Sequence, residues 1–71
     1  MPLYVMDCYY RSSPYAEAVL RESVEIIAPA RHVAIDEARR RAQILTPTYF
    51  ELRDTSQRSD NLFFNSDTGE V

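Results

Sequence analysis

Only one stretch of this chain, Arg31 to Leu45, spaces its apolar residues with the period of an α-helix. Ala34, Ile35, Ala38, Ala42 and Leu45 fall on one narrow stripe, and the three alanines in it let the helix axis approach a sheet closely. The segments around it alternate instead. Leu3 to Tyr10 puts Tyr4, Met6, Cys8 and Tyr10 on one side, and Leu3, Val5, Asp7 and Tyr9 on the other. A buried carboxylate is costly, so the Met6/Cys8 side is the one expected to face the core. One helix set among alternating segments constrains the chain to an α+β fold. The expected form is a small antiparallel sheet, ββαββ in order, with one helix packed on one face.

Breakers divide the chain. Ser12-Ser13-Pro14 ends the first strand. Residues 14–21 admit two readings: a short helix capped by Ser13 with Pro14 at its first position, or the loop of a long hairpin. The hairpin is favoured, because Ser23 to Ile27 is strand-like and a helix of about eight residues is marginal alone. Its second strand then runs from about Val19 to Ala28, stopped by Pro29. The helix lacks a good N-cap, whereas its end is marked by Thr46, which Pro47 pushes out of the helical region. Thr48 to Asp54 and Asn61 to Ser66 read as two strands around a polar turn. Phe50 and Leu52 are expected to be buried in phase with Leu62 and Phe64. Tyr49, Glu51, Arg53 and Phe63 are expected on the opposite side. Residues 1–66 thus form one domain, and 67–71 read as a flexible tail.

Composition narrows the function classes. A chain of 71 residues is one small domain with a thin stability margin, which a dimer or a bound partner would widen. Eleven acids against eight arginines, with no lysine, give a net charge of −3, which argues against direct nucleic-acid binding as a general activity. One glycine rules out phosphate-cradling loops of the Walker or Rossmann kind. The lone Cys8 reads as core, and the lone His32 lacks companions for a metal site. Asp67-Thr68-Gly69 matches the triplet of aspartic proteases but lacks the apolar strands that bury such a carboxylate. No catalytic residue, metal or cofactor is expected. No apolar run reaches the roughly 20 residues of a membrane span, so a soluble protein of the bacterial cytoplasm is expected.

Candidate contact residues fall in three groups. The first is the arginines of the helix, Arg31, Arg39, Arg40 and Arg41. Asp36 and Glu37 stand four residues before Arg40 and Arg41, an arrangement that a solvated helix face explains by itself. Arg31 and Arg39 are left with weaker or no helical partners, and their planar forks suit carboxylate or phosphate. The second group is the acidic set Glu51, Asp54 and Asp60 of the last hairpin. The third is the sheet face that one helix cannot cover, with Tyr9, Tyr49 and Phe63 beside Val5, Ile27, Asp7, Glu25, Glu51 and Arg53. An apolar patch of that kind on a monomer points to a protein partner or to a homodimer through that face.

In layout, Val24-Glu25-Ile26-Ile27-Ala28 running into Ala34-Ile35-Asp36-Glu37-Ala38-Arg39, with Tyr49-Phe50-Glu51-Leu52-Arg53 pairing Leu62-Phe63-Phe64, resembles the small phage-encoded anti-CRISPR proteins. The resemblance covers most of the chain and carries no functional residue across. It implies an inhibitor that occludes a site on a CRISPR effector ribonucleoprotein. Its arginines would meet RNA backbone or acidic protein, and its acids would mimic nucleic-acid phosphate.

Overall fold

The computed structural model describes residues 2–55 and 61–70. Strands β1 (Leu3–Tyr10) and β2 (Val19–Ile27) form a hairpin, followed by helix α1 (Arg31–Leu45), β3 (Tyr49–Asp54), β4 (Asn61–Asn65) and the short β5 (Gly69–Glu70). The sheet is antiparallel throughout, in the order β2-β1-β3-β4-β5. The first strand of the chain is therefore flanked on both sides, and α1 carries the chain over β1 from the edge strand β2 to β3. The α+β architecture with one helix on one face is thus present.

The hairpin reading of residues 14–21 holds. Ala16 N–H donates to the Ser13 carbonyl in the connecting loop, and β2 begins at Val19. Helix α1 starts after Ala30, which is extended and offers no side-chain cap. It ends at Thr46, whose N–H still donates to the Ala42 carbonyl. Thr46 leaves the helical region as Pro47 requires, but into the left-handed region at φ 51°. A β-branched residue there is strained by about 1 kcal/mol or more.

The core lies between α1 and the sheet. It is built from Tyr4, Met6 and Cys8 of β1, Ile26 of β2, Ala34, Ile35 and Ala38 of α1, and Phe50 and Leu52 of β3. Ala28, Phe63 and Phe64 complete it. Met6, Ile26, Leu52 and Cys8 are sealed from solvent, so the Met6/Cys8 side is indeed the inner one.

Two irregularities in register decide which side chains face which way. Between β3 and β4, Leu52 pairs with Phe64 but Arg53 pairs with Leu62, so Phe63 is an extra residue. This bulge turns both phenylalanines toward the helix. Phe63 packs edge-on against Tyr4, with ring centroids 5.5 Å apart, and Phe64 lies 5.8 Å from Phe50. The expectation that Leu62 is buried and Phe63 outward is therefore reversed: Phe63 is buried and Leu62 is exposed. A second shift, between Cys8 and Tyr9, sets Tyr9 opposite Leu20 and makes Arg21 the extra residue of β2.

The end of the chain also departs from expectation. Residues 67–70 do not hang free, because Gly69–Glu70 pairs with Phe64 and Asn65. The Asn65 side-chain oxygen accepts the N–H groups of Asp67 and Thr68, and Gly69 takes φ 89°, which a residue with a side chain adopts only under strain. The Asp-Thr-Gly triplet is thus a hairpin turn.

Candidate functional site: the open face of the sheet

The side of the sheet away from α1 is a grid whose rows follow from the register. Ser23, Asp7, Glu51 and Asn65 make one row across β2, β1, β3 and β4, and Glu25, Val5, Arg53 and Leu62 make the next. Leu20, Tyr9 and Tyr49 form a third row, and Ile27 stands opposite Leu3 at the far end. Tyr9 and Tyr49 stack nearly parallel, 8° between planes and 4.7 Å between centroids. Cross-strand aromatic pairs of this kind add about 0.5–1.5 kcal/mol beyond the area they bury.

Asp7 organises the centre of this face. Its carboxylate accepts the Ser23 hydroxyl at 2.8 Å and the Arg53 Nε–H at 2.7 Å, with a second guanidinium contact at 3.3 Å. These partners cover it so well that Asp7 is buried although it lies on the uncovered side. The Asn65 amide donates to Glu51 at 3.4 Å. Burial, reinforced by a hydrogen bond to Glu51, raises the pKa of the Tyr9 hydroxyl above the ordinary tyrosine value. Arg53, expected as a contact residue, is engaged by Asp7.

The apolar residues of the face stay accessible. Ile27, Leu20 and Leu62 are exposed, and Leu3, Val5, Tyr9 and Tyr49 are half-buried. Among them stand three carboxylates, Asp7, Glu25 and Glu51, against Arg53 within the paired rows. The face is therefore apolar, aromatic and acidic.

The arginines of α1 are placed differently from the sequence expectation. Glu37 takes both neighbours, Arg41 at 3.3 Å and Arg40 at 3.6 Å, while Asp36 forms no ion pair among the described residues. Arg31, expected to lack a helical partner, donates to the buried Asp54 of β3 at 3.3 Å and lies 5.0 Å from the centre of the Phe63 ring. Arg39 sits over Phe64 at 5.6 Å. Asp54 is thus a buried anchor for the helix rather than an acidic surface contact. Asp60 lies outside the described residues. Phe63, which was expected to join Tyr9 and Tyr49, belongs to the helix side.

The remaining reactive groups fit structural roles. Burial, then the carboxylates of Glu22 and Asp7, raise the pKa of the Cys8 thiol. That disfavours the nucleophilic thiolate. His32 is exposed in the first turn of α1. Among the described residues no three His, Cys, Asp or Glu side chains gather as a metal site, and no helix is long and apolar enough to cross a membrane.

The pairing of Asp7 was missed because strand phase alone does not reveal which residues stand opposite one another. Leu20 and Leu62 were missed because each depends on a bulge. Comparison with protein-family models, curated proteins and solved structures returned no match.

Proposed function

We propose that this chain is a non-enzymatic binding protein whose open sheet face docks a partner protein with a basic, apolar surface. The observation that carries this reading is the Tyr9–Tyr49 stack, flanked by exposed Leu20 and Ile27 and set among the carboxylates of Glu25 and Glu51. Rigid tyrosines supply anchor area at low entropic cost, and acids on the same face select a cationic partner. That charge also disfavours two such faces meeting each other. Basic surfaces are what nucleic-acid-processing proteins present to phosphate. The most concrete form of the proposal is accordingly inhibition of such an effector, in the manner of an anti-CRISPR protein acting in the cytoplasm of a bacterial host.

A target-cleavage assay with reconstituted CRISPR effector ribonucleoproteins tests the inhibitor form. Inhibition by the wild type, lost in Glu25→Lys and in Tyr49→Ala but kept in Arg40→Ala, supports both the inhibitor and the face. Inhibition that ignores the first two substitutions moves the contact elsewhere. Cleavage untouched across effectors removes the inhibitor form.

A further inference from the structure

The free edge of β2 carries a pattern that the open face does not explain. One side of β2 pairs with β1 and the other has no strand neighbour among the described residues. Natural edges are blunted by brevity, by bulges, by charged side chains, and above all by lysine and proline. This strand is nine residues long and contains neither of those residues. Its middle, Arg21-Glu22-Ser23-Val24-Glu25, is self-complementary about Ser23. In an antiparallel pairing of two copies with Ser23 opposite itself, Arg21 of each stands opposite Glu25 of the other, and Glu22 opposite Val24. Arg21, Glu22 and Glu25 are exposed and form no ion pair within the chain among the described residues.

A second observation comes from the helix side. A shallow groove of about 190 Å³ opens beside β2, lined by Val24, Arg41, Ile44 and Leu45. Ile44 is 83% exposed at its rim. A two-fold axis through Ser23, normal to the sheet, keeps both helices on the same side. Glu22 of the second copy then stands across from Val24, on the side where Arg41 lines the groove.

We propose that this chain forms a closed two-fold homodimer by antiparallel pairing of β2 with β2 of a second copy about Ser23, joining two five-stranded sheets edge to edge. Opposite charges facing each other across strands fix the register, and other registers lose both Arg–Glu pairs. The contact is isologous, so it closes on itself rather than propagating. The open faces of both copies stay uncovered, so the dimer is independent of what those faces bind.

Sedimentation equilibrium on the full chain, from low to high micromolar, reads the association directly. A concentration-dependent dimer is expected in the wild type. Arg21→Glu and Glu25→Arg should each weaken it by at least about tenfold, and the double exchange should restore it. Ile44→Asp should weaken it without unfolding the chain, as circular dichroism checks. Tyr49→Ala should leave it intact. A monomer at every concentration overturns the proposal, as does a dimer indifferent to the charge exchanges, one not restored by the double exchange, or one lost in Tyr49→Ala.

Discussion

Two aspartates are buried on opposite sides of the same sheet, and their arginines come from different places. Asp7, on the open side, is met by Arg53 from the neighbouring strand and by Ser23 from the other neighbour, at 2.7 and 2.8 Å. Asp54, on the helix side, is met by Arg31 from the start of α1 at a looser 3.3 Å, with half of the Arg31 side chain in solvent. The first pair ties three strands together. The second ties the helix to the sheet. Desolvating a carboxylate is repaid only by short, multiple contacts, and the Asp7 site has them. The Asp54 site is a clasp at the rim, supported by the Phe63 ring under the guanidinium. The helix side is thus held by packing with the Arg31–Asp54 clasp, and the open side by a polar network under a partly apolar surface.

Substitutions can break this contrast in graded steps. The largest effect is expected from Phe63→Ala, which should cost about 3–4 kcal/mol in urea unfolding, while Leu62→Ala costs under about 1. Equal losses would place both side chains in the core and remove the β4 bulge. Asp7→Ala comes next, at about 2–3 kcal/mol, because it removes the carboxylate to which both Arg53 and Ser23 donate. A double-mutant cycle with Arg53→Ala should then recover part of the loss as coupling. Asp54→Ala is expected to cost about 1–2 kcal/mol, less than Asp7→Ala, since Arg31 can return to water. The reverse order would make the clasp, not the strand network, the stronger device. Thr46→Gly should stabilise the chain by about 1 kcal/mol, by relieving the left-handed cap. A lower midpoint in that variant would show that the threonine conformation is not strained.

The weakest effect near neutrality is a slope with pH. Burial raises the folded pKa of Cys8, Tyr4 and Tyr10 on the helix side and of Tyr9 on the open side. A folded chain that holds these protons more tightly than the unfolded one has unchanged stability below the unfolded values. It then loses stability as pH rises from about 9 through the folded values. Denaturant midpoints should be level from pH 7 toward 9 and fall beyond, and Tyr9→Phe should remove only the open side's share. A midpoint that rises above pH 10 would contradict the burial of these groups.

The contrast also explains how much could be read from residues alone. The helix, its alanine stripe, its missing N-cap and the Met6/Cys8 side were legible, because each depends on local period and on side chains a few positions apart. Phe63 and Leu62 were exchanged because a single extra residue reverses strand phase, and nothing in Asn61-Leu62-Phe63-Phe64 marks where it falls. The arginines were misread for a related reason. Helical spacing gave Arg41 its Glu37, but Arg31 finds Asp54 23 residues away and Arg39 meets Phe64 from another element. For the candidate face, Tyr9, Tyr49 and Glu51 follow from alternation, whereas the Asp7–Ser23–Arg53 network requires the strand order.

Because β1 lies inside the sheet, between β2 and β3, synthesis and assembly run out of step. The β1–β2 hairpin can pair as soon as Ile27 has left the ribosome, yet Tyr4, Met6 and Cys8 then have no cover on their inner side. Only when β3 arrives do Thr48 and Thr55 donate their N–H groups to the carbonyls of Tyr9 and Leu3 at the two ends of β1. Helix α1, made in between, can already cover Tyr4, Met6 and Cys8, but the second edge of β1 stays unpaired until β3 is made. Completion of the fold therefore waits on a long-range strand pairing, the class of contact that slows folding relative to helix formation.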